Sequence, residues 1–72
     1  MGDRELLNVL LDEEGYADTY SFAEDFVFDS VVPGICRECH GVMDCEPDAT
    51  KNWCDECGKN TVVSGLVLAG LI

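Results

Sequence analysis

Cys36, Cys39, Cys54 and Cys57 form two C-x2-C pairs with 14 residues between Cys39 and Cys54. That is the spacing of a four-thiolate metal site. Two intervening residues make a tight turn that aims both sulfurs at one ion, while the N–H groups of the turn point at the first sulfur. Zinc is the expected occupant, because four thiolates satisfy its tetrahedral preference; iron suits the same four sulfurs and is the alternative. An ion with four protein ligands keeps no open position for water or substrate, so its expected role is structural.

Each turn needs a residue that accepts left-handed backbone soon after its second cysteine. Gly58 directly follows Cys57, whereas His40 follows Cys39 and Gly41 comes one later, which is expected to weaken the first turn slightly. His40 is not expected to ligate in place of Cys39, since neighbours in one turn cannot both face the ion. Cys36-Arg37-Glu38-Cys39-His40 also spells a c-type haem attachment site, but that reading leaves the second pair unused. The fifth cysteine, Cys45, makes the count odd and argues against a disulfide framework. Cys45 is expected to be a bystander rather than a substitute ligand or a reactive thiol. Beyond the cysteines there is one histidine with no serine or lysine beside it, so no acid/base pair is in view and no enzyme is expected.

The elements that must hold these residues are small. At 72 residues a chain is one domain, whose apolar core contributes only about 3–5 kcal/mol, so a staple such as a metal ion is expected. Fifteen acidic residues face four basic ones, giving a net charge of -11 and a pI near 4.1. This excludes direct nucleic-acid binding as the expected role, since phosphate recognition needs the opposite sign. With 47% hydrophobic residues, the chain is too apolar to be simply disordered.

Leu6, Leu7, Leu10 and Leu11 recur at helical spacing between Asp3, a candidate N-cap, and Gly15, a natural stop, so a helix is predicted over 4–14. Ser21-Phe22-Ala23-Glu24 fits a capping box and predicts a second helix running to about Phe28. Pro33 biases Val32 toward an extended conformation, so the acidic helical segment 1–30 gives way near Ser30 to a cysteine-rich part over 31–72. Val42 to Glu46 reads as a strand ending at Pro47. The apolar run from Val62 to Ile72 is 11 residues, too short for a membrane span of about 17–25, and is expected to be core or contact surface. The N-terminal residues lack the basic and apolar regions of a signal peptide, so a cytoplasmic location is expected.

Asp29-Ser30-Val31-Val32-Pro33-Gly34-Ile35-Cys36, Glu46-Pro47-Asp48, Trp53-Cys54, Cys57-Gly58, Thr61-Val62-Val63-Ser64 and Leu68-Ala69-Gly70 together resemble a group of small uncharacterised zinc-ribbon proteins common in bacteriophages and prophages. The resemblance covers about the last 44 residues. It implies a zinc ribbon, a phage or bacterial origin and no assigned activity. The fold expected is thus a small metal-stabilised α+β unit, a zinc ribbon of short antiparallel strands behind a helical N-terminal segment.

Two binding roles are compatible with these features. In the first, the ribbon is an accessory module that docks on a protein with a basic face. Trp53, which can instead cover the metal site or pack in the core, and the tail residues Leu66, Val67, Leu68, Leu71 and Ile72 are the candidate contacts. In the second, the carboxylates imitate DNA phosphates and block a host nucleic-acid-binding defence protein, such as a CRISPR effector or a restriction enzyme. A rubredoxin-like iron electron carrier is the further alternative.

Overall fold

A computed structural model of the chain describes residues 2–26 and 28–71. The first helix, α1, spans Asp3–Glu14 and turns Leu6, Leu7, Leu10 and Leu11 inward. Gly2 rather than Asp3 is its N-cap, with no side-chain cap bond. Asp3 is instead the first helical residue, and its carboxylate accepts from Arg37 at 2.7 Å. Gly15 ends the helix in left-handed backbone, as expected of a stop glycine.

The second helix, α2, spans Thr19–Phe26, so it begins before Ser21 and ends before Phe28. Asp18 supplies the cap: its Oδ1 accepts the Ser21 N–H at 2.8 Å, while its carbonyl accepts the N–H of Phe22. A carboxylate at this place gains from the helix dipole as well as from the cap bond. The Ser21 N–H, then the Ser21 hydroxyl, hold the Asp18 carboxyl below its ordinary value. Phe22 lies within the helix and is fully buried.

Four strands follow, β1 Val32–Cys36, β2 Val42–Cys45, β3 Asn52–Cys54 and β4 Lys59–Ser64. They form one antiparallel sheet in the order β2-β1-β4-β3. β1 and β2 make one hairpin and β3 and β4 the other, and the two hairpins join through β1 and β4. Pro33 sits in an interior strand, a place that normally needs its missing N–H. Pairing of β1 with β4 starts only at Gly34, so Pro33 lies where β1 has β2 alone as partner.

A single turn of helix, α3 (Gly65–Leu68), packs against α1, β1 and β4, and Ser64 Oγ caps it by accepting the Leu66 N–H at 3.1 Å. The apolar run from Val62 therefore divides. Val62, Val63 and Leu66 are core, Val67, Leu68 and Ala69 are half-buried, and Leu71 is exposed. Among the described residues no helix is long and apolar enough to cross a membrane.

The buried cluster runs through both parts of the sequence. The four α1 leucines and Phe22 pack with Val32, Ile35, Val62, Val63 and Leu66, next to Cys36, Cys45 and Cys54. Close approach is built in at Gly65, where a Cβ would lie 2.5 Å from Phe22 Cζ and 2.8 Å from Leu10 Cδ2. The start of α3 thus rests directly on the aromatic and leucine side chains of the two long helices.

Candidate metal centre

Each hairpin carries one C-x2-C pair at its turn. Cys36 ends β1 and Cys39 lies in the turn toward β2; Cys54 ends β3 and Cys57 lies in the turn toward β4. The turns share one construction. The His40 N–H bonds the Cys36 carbonyl at 3.1 Å, and the Gly58 N–H bonds the Cys54 carbonyl at 2.8 Å. His40 and Gly58 occupy equivalent left-handed positions, with φ of 60° and 67°. His40 accepts a conformation that is ordinary for glycine and costs another residue about 1–2 kcal/mol. The side chain of His40 is exposed and lies outside the cluster of sulfurs.

Because β1 and β4 are adjacent, the two turns meet at one end of the sheet. The four Sγ atoms all lie within 4.8 Å of one another. Cys36 Sγ is 3.6 Å from Cys57 Sγ, and Cys39 Sγ is 3.7 Å from Cys54 Sγ. A regular tetrahedron with Zn–S bonds of about 2.3 Å has edges of about 3.8 Å, which both pairs approach, whereas a disulfide would need about 2.05 Å. All five cysteines are free thiols. The cluster therefore has the donor set and the spacing of a tetrahedral metal site, which zinc and iron share.

Backbone donors stabilise the first sulfur of each pair. Cys36 Sγ receives the N–H groups of Glu38 at 3.3 Å and Cys39 at 3.4 Å, and Cys54 Sγ receives that of Cys57 at 3.4 Å. A further partner comes from β4, where Thr61 Oγ1 is 2.9 Å from Cys36 Sγ. Burial pushes the Cys36 thiol up, but Thr61 and the two N–H groups outweigh it and bring the thiol down to about 6. Cys57 is pushed up to about 12 by its contact with Cys39, then by burial and the other sulfurs. For Cys39 the Gly41 N–H and Cys57 act downward, but burial and its bonds with Cys36 and Cys54 leave it raised. Four sulfurs this close cannot all ionise without a cation among them; a bound dication removes that conflict.

The site is unequal in its exposure. Cys36 and Cys54 are fully buried, Cys57 is half-buried and Cys39 is exposed. Glu56 Oε2 stands 3.8 Å from Cys39 Sγ. Neither Thr61 nor Glu56 was marked by the spacing of the cysteines, because both contacts depend on how the hairpins are paired.

Cys45 lies apart from the four sulfurs. It is buried over Gly34, where a Cβ would come within 2.5 Å of Cys45 Sγ. Burial, then the charges of Asp44 and Glu46, push its thiol up to about 11.

The tail and aromatic candidates differ in exposure. Leu66 is 2% exposed and belongs to the core, because α3 turns it toward the helices; it is removed from the contact residues. Leu68 is half-buried and Leu71 is 52% exposed. Ile72 lies outside the described residues. Trp53 is 55% exposed on β3, an edge strand. Alternation along β3 sends Cys54 inward and Trp53 outward, so Trp53 is not a core residue. No protein-family model matches the chain, and no curated protein or solved structure matches it either.

Proposed function

We propose that this protein is a non-catalytic zinc ribbon of phage or prophage type that acts by binding a protein partner with a basic face. The observation that carries the metal-binding part is the convergence of four free thiols from two equivalent hairpin turns, all within 4.8 Å. Zinc is the occupant proposed. Cys36, Cys39, Cys54 and Cys57 would hold it, and it would supply a crosslink between the hairpins rather than a reaction centre.

Charge supports the partner-binding part. All 15 acidic side chains are exposed, and Asp3 is the one that forms an ion pair among the described residues. Four thiolates and one dication take the formal -11 to about -13. Such a field repels phosphate backbones and speeds association with cationic surfaces. Trp53, exposed beside the metal turn, is the aromatic anchor proposed for the contact.

Capture of partners from expressing cells with the zinc-loaded protein tests this reading, with association then measured against salt. A protein partner whose association rate falls as salt rises, and whose binding Trp53→Ala weakens, supports it. Salt-sensitive binding of the zinc-loaded protein to bare DNA or RNA would overturn it. Competition with DNA for the same site on the partner would identify the contact as mimicry of phosphates.

A further inference from the structure

The geometry points to Cys39 as a modification site: of the four sulfurs of the metal centre, it is the nucleophile that a soft, uncharged electrophile reaches first. The inference rests on the four-thiolate reading and goes beyond it by assigning unequal reactivity to the ligands.

Three features order the four sulfurs. The first is access. Cys36 and Cys54 are sealed inside the sheet end at 0% exposure and Cys57 is half-covered, whereas Cys39 is exposed. The second is hydrogen bonding. A metal-bound thiolate loses nucleophilicity as donors take up its charge. Cys36 has two backbone N–H groups and the Thr61 hydroxyl on it, and Cys54 has the Cys57 N–H. Hydrogen bonding thus sets Cys36 aside, whereas Cys39, like Cys54, has one backbone donor, the Gly41 N–H; access and charge are what single out Cys39.

The third feature is charge. The Glu56 carboxylate lies 3.8 Å from Cys39 Sγ, and Gly41 packs beside both. A Cβ on Gly41 would lie 3.4 Å from both Cys39 Sγ and Glu56 Oε2. Four thiolates around a dication carry a net charge of about -2, and a carboxylate beside one of them raises the energy of that anionic state. Alkylation turns the thiolate into a neutral thioether and relieves the repulsion.

The reactants in view are α,β-unsaturated carbonyl compounds. The sulfur electron pair of Cys39 forms a C–S bond to the β carbon as the C=C π bond breaks, and the α carbon then takes a proton from water. No oxidant is consumed. The thioether is a poor ligand compared with the thiolate, so loss of the metal follows the modification.

The test uses the full-length zinc-loaded protein, its metal content measured beforehand, with substoichiometric N-ethylmaleimide, acid quench and peptide mapping by mass spectrometry. A metallochromic indicator follows zinc release in parallel. The expected result is first labelling at Cys39, with zinc release tracking it. Glu56→Gln, an exposed substitution that leaves all four ligands in place, slows labelling of Cys39 by about two- to fivefold. First labelling at any other cysteine, or an unchanged rate in Glu56→Gln, overturns the inference while leaving the zinc site intact. A protein that binds no metal before the reagent is added overturns the four-thiolate reading itself, and this inference with it.

Discussion

Thr61 grips the first metal turn twice: its Oγ1 is 2.9 Å from Cys36 Sγ and its carbonyl accepts the Arg37 N–H at 2.8 Å. With Cys36 a thiolate, the hydroxyl must be the donor. This fixes the first turn onto β4, which belongs to the other hairpin. Thr61→Val keeps the shape and removes the donor, and is expected to weaken metal affinity about 10-fold or more, with Thr61→Ser restoring most of it. Competition against a chelator of known affinity measures both. Equal affinity in Thr61→Val and the native protein would deny the hydroxyl any part in holding the site.

His40 holds left-handed backbone at φ 60°. Relief of that strain, less the extra freedom glycine gives the unfolded chain, is expected to make His40→Gly more stable by about 0.5–1 kcal/mol. Gly58→Ala, at φ 67°, is expected to lose about 1 kcal/mol. Denaturant unfolding of the metal-loaded proteins gives both signs. A destabilised His40→Gly would mean that the imidazole makes a contact stronger than the strain.

Phe22 is fully buried against Leu10 and the backbone of Gly65. Phe22→Ala is expected to cost about 3–5 kcal/mol, which matches or exceeds the core of so small a domain. The metal-loaded variant should therefore show a labile helical layer by amide exchange. Unchanged protection in α1 would contradict the shared core.

The Cys45 thiol is pushed up to about 11, above the ordinary value of about 8.5. The charged form is disfavoured in the folded state. Its contribution to stability is thus constant below about pH 8.5 and falls as pH rises above that value, where the unfolded thiol ionises and the folded one does not. Cys45→Ala should leave the metal content unchanged and flatten this alkaline loss. An altered metal content would make Cys45 a ligand after all.

The metal turns were legible because their geometry is local. Two residues between sulfurs and a left-handed residue after the second cysteine dictate the turn wherever it occurs. The leucine face of α1 was legible for the same reason, through helical periodicity. The start of α2 was not, since Asp18 and Ser21 both suit a cap and the choice follows from where Phe22 must point. Leu66 is core rather than contact surface, and Trp53, open between core and contact in the sequence, is exposed. Their exposure depends on the one-turn α3 and on which strand lies at the sheet edge, and neither has a periodic signal. Thr61 and Glu56 reach the site across 25 and 17 residues of sequence, through strand and turn pairing that no spacing of cysteines encodes.

Four thiolates are expected to hold one ion on which the fold depends, and titration of the metal-free protein with cobalt(II), read by absorption and circular dichroism together, checks both parts at once. Saturation is expected at one equivalent, with intense sulfur-to-cobalt charge-transfer bands, tetrahedral ligand-field bands, and gain of folded structure along the same curve. Saturation without thiolate bands, or a chain equally folded before any metal is added, would contradict this.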